Sequence, residues 1–170
     1  MSLASVKAFL AAQAPDLQVV ELDSSTATVA LAAAAHGVEP GRIAKTLSLR
    51  IGDEVILLVT SGDARLDNQK FKATFRAKPS MLPFDEVEAA TGHPVGGVTP
   101  LGLMQPLRVF CDESLRAYDE VLPAAGAMHA VVRLSPARLA ELSGATWVDV
   151  TRRSGADAAG GPEATPAATA

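Results

Sequence analysis

The sequence predicts an α+β domain built on a mixed β-sheet. Three observations carry that expectation. Segments with strand-like and helix-like patterning are interleaved irregularly along the 170 residues. The dipeptide Gly52-Asp53 separates two apolar runs in the manner of a tight hairpin. Residues 55–59, VILLV, are apolar throughout and suit a strand covered on both faces at the centre of a sheet.

Each element has its own local reason. Residues 2–13 read as a helix, with Val6, Phe9 and Leu10 on one stripe and Pro15 as its stop. LQVVEL (17–22) reads as a strand. DSSTATVALAAAAHGV (23–38) offers Ser and Thr N-caps, an alanine-rich helix and Gly37 as C-cap. RIAKTLSLRI (42–51) and EVILLVTSG (54–62) are the arms of the hairpin. RLDNQKFKATFRAK (65–78) reads as one basic helix. PFDEVEAATG (83–92) is a short helix with proline and acids at its start and Gly92 at its end. HPVGGVTPLGLMQP (93–106) is a loop with special backbone demands. LRVFCDESL (107–115) is a strand entering a turn, and HAVVRLS (129–135) is another strand. SPARLAELSG (135–144) is a helix started by Ser135-Pro136, and TWVDV (146–150) is a last strand. From Arg152 only small and polar residues follow, so one domain over 1–151 and a disordered tail over 152–170 are expected.

Composition removes several classes of function. A net charge of −4 argues against a protein that coats nucleic acid indiscriminately. The single Cys111 excludes an internal disulfide and a multi-cysteine zinc site, and its apolar flanks suit packing. One cysteine also fits a reducing compartment, with the cytoplasm as default. His36, His93 and His129 lie far apart and lack metal-ligand spacing. No phosphate-binding Walker loop, GxSxG elbow or HExxH helix is present, so no metal or cofactor is expected. No run approaches 18 apolar residues, so no membrane span is expected, and the N-terminal stretch reads as amphipathic helix rather than signal peptide.

Three features carry chemical interest. In the strand 42–51, Lys45 falls on the same face as Ile43, Leu47, Leu49 and Ile51. Such a lysine either snorkels to the sheet edge or stands in a cavity, where its charge binds an anionic or carbonyl oxygen strongly. The second feature is Gly96-Gly97, which leaves backbone N–H groups uncovered by side chains, with Pro100 fixing the exit of the loop. A plain tight connection is the alternative. The third is the basic segment, where Arg65, Lys70, Lys72, Arg76 and Lys78 oppose only Asp67. That excess suits a phosphate-facing surface, or simply a solvated helix face.

Together, GRIAKTL, the hairpin, the basic LDNQKFK segment and TGHPVGGVTPLG resemble the YbaK/ProX family over residues 20–150. Its members are stand-alone relatives of the editing domain inserted in bacterial prolyl-tRNA synthetase. The resemblance implies a largely antiparallel, curved β-sheet with surrounding helices. It also implies a trans-editing aminoacyl-tRNA deacylase that hydrolyses the ester of mischarged tRNA, tRNA-Pro foremost. The amino acid removed would be small: Ala, Ser, Thr, Cys or 2-aminobutyrate. Lys45 matches the family's essential lysine, thought to hold the terminal adenosine or its phosphate. Gly96, Gly97, Val98, Thr99 and Pro100 match its GxxxP motif, whose amides are thought to polarise the ester carbonyl. Thr46 and His129 are candidate substrate contacts, and Lys70 and Lys72 candidate phosphate contacts. The partner implied is the acceptor end of charged tRNA, with prolyl-tRNA synthetase as a second candidate. A catalytically silent tRNA- or synthetase-binding module and a small-molecule hydrolase remain the alternatives.

Overall fold

The computed structural model describes residues 2–22 and 28–153. Its centre is the expected hairpin, β2 (Ile43–Ile51) and β3 (Glu54–Ser61), paired antiparallel from Ala44↔Ser61 to Ile51↔Glu54. Gly52 makes the tight turn possible by taking φ 60°. β5 (Arg108–Asp112) joins β3 in parallel, and β8 (Thr146–Val148) joins β5 in parallel. On the other side β6 (Leu122–Pro123) runs parallel to the start of β2. The sheet order is β6-β2-β3-β5-β8, so the apolar run 55–59 is central, as its composition requires. Two small antiparallel sheets complete the fold: β1 (Val19–Glu21) with β7 (Ala130–Val132), and β4 (Ala64–Leu66) with β9 (Thr151–Arg153). The mixed α+β architecture is thus the expected one, with its longest ladder antiparallel.

The helices start and stop where their caps say. α1 is Ser2–Gln13. α2 (Val29–His36) begins where Thr28 Oγ1 accepts the Leu31 N–H and ends at Gly37 with φ 68°. α4 is Phe84–Thr91, closed by Gly92. α5 (Pro136–Ser143) is capped by Ser135, which accepts the Arg138 N–H.

Two expectations are corrected. The basic segment 65–78 is not one helix: residues 64–66 are drawn into β4 by pairing with β9, and only α3 (Asn68–Phe75) is helical. The break is Asp67, whose carboxylate accepts the N–H groups of Gln69 and Lys70 and so starts the helix after itself. β9 also carries the described chain to Arg153, past the boundary expected at residue 151. The rest of the expected tail lies outside the described residues, as do 23–27 of the segment before α2.

The hairpin separates two apolar layers. Leu57 and Val59 of β3 pack with Val6 and Leu10 of α1 and Leu139 of α5. Ile56 and Leu58 face the other way, with Leu49, Phe71 and Phe110. Buried Asp112 locks the chain end to this layer by accepting from Val150 N–H at 2.7 Å and Thr151 Oγ1 at 2.6 Å.

Candidate functional site

The site follows from how β2 is covered. β3 takes one of its edges along nearly the full length. On the other edge, β6 reaches only Ile43 and Ala44. Farther along, Arg50 N–H donates to the Ser80 carbonyl at 2.8 Å, and Leu82 N–H donates to the Ser48 carbonyl at 3.0 Å. Between these two covers the edge is open among the described residues. The alternation of an antiparallel pair turns the N–H and C=O of Thr46 toward the same side as those of Ser48 and Arg50, into the opening.

The opening is a cavity of about 230 Å³. Its walls are mainly apolar, drawn from α2, α4, β6 and β7, and include Ala32, Val87, Leu122 and Val131. Lys45, Thr46 and Ser48 of β2 supply polar groups. Thr46 Oγ1 is buried and has no hydrogen-bond partner among the described residues. Phe84, Met81 and Val95 form an apolar rim, with Phe84 77% exposed.

Lys45 is neither fully buried nor free. Its Nζ donates to the Ala64 carbonyl at 2.9 Å, and no carboxylate pairs with it among the described residues. Burial holds its pKa below the ordinary lysine value, the charge of Arg65 pushes the same way, and Asp63 pulls partly back. Lys45 thus borders the cavity, while its ammonium reaches the first residue of β4.

The glycine loop forms the facing wall. Val95, Gly96 and Val98 line the cavity, while Gly97, Thr99 and Pro100 are buried behind it. Gly96 takes φ 93°, which favours glycine, and its N–H has no hydrogen bond among the described residues. Gly97 differs from expectation. Its N–H is taken by the Pro94 carbonyl at 2.9 Å, so only one of the two amides is open. The second glycine is needed for close approach instead: a Cβ there would lie 2.6 Å from Ala127 N and 2.7 Å from the Gly126 carbonyl carbon. Gly126 N–H donates back to the Gly97 carbonyl at 3.0 Å, joining the two loops.

Sequence reasoning missed His93, which holds this loop. It is fully buried, with Nε2 3.0 Å from the Leu101 carbonyl and Nδ1 2.6 Å from Ser2 Oγ. The carbonyl can only accept, so Nε2 carries the proton and Nδ1 accepts from the Ser2 hydroxyl. Burial lowers its pKa. The only signal in the sequence is its place between Gly92 and Pro94.

Three sequence candidates lie apart from the cavity wall. His129 is partly exposed, with Nε2 3.4 Å from Glu21 Oε1. Lys70 donates to Asp149 at 3.1 Å and to the Thr151 carbonyl at 2.9 Å. Lys72 is exposed on α3.

Fold and site together define an α+β domain with a mainly apolar cavity bordered by Lys45 and one open loop amide. Residues 23–142 match the aminoacyl-tRNA editing domain, and the chain belongs to that family. It is 43% identical over 154 residues to the uncharacterized protein YwhH of Bacillus subtilis, covering 89% of this chain and 98% of that one. It is 29% identical over 120 residues to EbsC of Enterococcus faecalis, a proposed Cys-tRNA(Pro)/Cys-tRNA(Cys) deacylase, covering 69% and 73% of the two chains. Its fold is similar to the crystal structure of a proposed trans-editing enzyme for prolyl-tRNA synthetase. The TM-score is 0.82 at 36% identity, over 89% of this chain and 97% of that one. Among the described residues, no helix is long and apolar enough to cross a membrane.

Proposed function

We propose that the chain is a trans-acting aminoacyl-tRNA deacylase working in the cytoplasm. Its substrate is a tRNA, tRNA-Pro foremost, carrying a small amino acid such as Ala, Ser, Thr, Cys or 2-aminobutyrate. The carrying observation is the cavity that brings Lys45, the open polar groups of Thr46 and Gly96 together. At about 230 Å³ it lies below the roughly 300–1,000 Å³ of pockets for drug-sized ligands, which suits a small aminoacyl group.

The reaction needs a fixed ester and stabilisation of the oxygen that becomes negative. In this reading Gly96 N–H donates to the ester carbonyl oxygen, and the Thr46 C=O and hydroxyl accept from the substrate's amino group. In the same reading the Lys45 ammonium binds the phosphate or ribose of the terminal nucleotide. A water attacks the carbonyl carbon, assisted by the tRNA's vicinal 2′-hydroxyl. The bond to the ribose 3′-oxygen then breaks, and that oxygen leaves with a proton, giving free amino acid and tRNA. No triad of protein side chains is required.

The test is deacylation of Ala-, Ser-, Thr- and Cys-charged tRNA-Pro by the wild type and by Lys45→Ala. Loss of about a hundredfold or more in rate is expected, the scale for removing one oriented charge or donor. An unchanged rate would remove Lys45 from the site. Binding of charged tRNA without hydrolysis by the wild type would leave the binding-module reading in its place.

A further inference from the structure

Lys45 also borders a second space. Its Nζ points toward Ala64, and there Lys45, Leu47, Thr60, Arg65 and Met81 line a recess of about 120 Å³. Arg65 stands at this recess, exposed on β4, and makes no hydrogen bond or ion pair among the described residues. By contrast Arg42, Arg50, Arg108, Arg133 and Arg138 each meet a carboxylate within 3.0 Å.

The cross-strand neighbour of Arg65 is Arg152 of β9, its direct partner in the antiparallel register. Like charges directly opposite destabilise a strand pair. Arg152 reaches Asp67 only at 3.9 Å, and the other oxygen of that carboxylate is occupied in capping α3. Asp63 accepts from Ser61 Oγ at 2.6 Å, lies 3.4 Å from the Tyr118 hydroxyl and partly offsets the charge of Lys45. Lys45, Arg65 and Arg152 form a row of cations running from the cavity wall across two strands, offset in part by Asp63 at Lys45 and by Asp67 at Arg152. One small anion would satisfy a single member. A chain of phosphates satisfies the row.

We propose that Arg65, with Arg152 beyond it, binds the phosphodiester backbone of the RNA strand whose 3′ end enters the Lys45 cavity, so that the strand leaves over β4 and β9. This rests on the deacylase reading and names the path of its substrate. It moves phosphate recognition from Lys70, which is already engaged by Asp149 and Thr151, to a cation at the mouth of the site.

Two measurements test it on the full chain. Steady-state deacylation of charged tRNA is followed over a range of salt for wild type, Arg65→Ala, Arg65→Glu and Arg138→Ala. Affinity for a short single-stranded RNA with a free 3′-hydroxyl is read in parallel by fluorescence anisotropy. Arg65→Ala should raise KM roughly tenfold with kcat nearly unchanged, the pattern of lost uniform binding to a charged group. Its log–log salt slope should be shallower by about 0.7, the share of one single-strand phosphate contact. Arg65→Glu should be worse, and Arg138→Ala, which removes a cation paired elsewhere with Asp16, should match wild type. An unchanged KM and slope in Arg65→Ala overturns the proposal, as does a fall in kcat at constant KM. Polyglutamate bound as tightly as RNA with the same dependence on Arg65 also overturns it. If the wild type hydrolyses no charged tRNA, the deacylase reading fails by itself, and the anisotropy series alone decides the cation row.

Discussion

Lys45 and Lys70 carry the same charge and meet opposite surroundings. Lys70 stands on an exposed helix, with Asp149 and a backbone carbonyl both within hydrogen-bond distance. Lys45 is half-buried at an apolar cavity, with one backbone carbonyl and no carboxylate as partner among the described residues. The first lysine is already compensated. The second is held where its charge costs most, and a ligand oxygen would relieve that cost. A residue's chemistry is set by what its neighbours leave undone.

The comparison is broken or sharpened at specific residues. The largest effect belongs to Lys45→Gln, which keeps a polar end on an apolar stem and removes the charge; deacylation should fall by about a hundredfold or more. If the ammonium is the working form, wild-type deacylation, corrected for spontaneous hydrolysis, should decline as pH rises through a pKa below that of ordinary lysine. A flat profile up to the ordinary lysine range would contradict this.

Next comes His93→Ala, which leaves the Leu101 carbonyl and Ser2 hydroxyl without their partner in a buried place. Urea denaturation should show a loss of about 2–4 kcal/mol, from unpaired polar groups and an internal void. Gly97→Ala should cost about 1–3 kcal/mol as the two loops are forced apart, with activity reduced alongside. The acid side of the stability curve tests His93 without mutation. Its pKa is lower folded than unfolded, so the unfolded chain binds more protons between the two values. Stability should be full above the unfolded pKa near 6.5 and decline as pH falls toward the folded value. In His93→Ala that part of the decline should shrink. The smallest effect is Lys70→Ala, at most about 1 kcal/mol, because an exposed ion pair contributes little; a larger loss in the same urea experiment would show that its hydrogen bond to Thr151 matters more than the pair.

What was legible in the sequence was local. Gly37, Gly92 and Ser135 act on backbone groups a few residues away, and each helix end they announced is where it was expected. The hairpin was legible because Gly52-Asp53 and the apolar run after it act within one turn. β4, β6 and β9 were not, because strands of two or three residues exist only through distant partners. The basic segment misled for the same reason: its helical composition was overridden at residues 64–66 by pairing with a strand more than eighty residues away. The site divides along the same line. Lys45 and the glycine loop show themselves by residue type, whereas the gap in the cover of β2 and the spent amide of Gly97 depend on tertiary contacts.

Ser2 extends this logic to the far end of the chain. Its hydroxyl holds the ring of His93, and its carbonyl oxygen would lie 2.7 Å from any Cβ added at Gly126. It thus braces both loops that meet at Gly97. Loss of the first turn of α1, or a bulky group pressed against it, would show up in assays as a damaged active site, although the lesion lies some ninety residues upstream of the loop it disables.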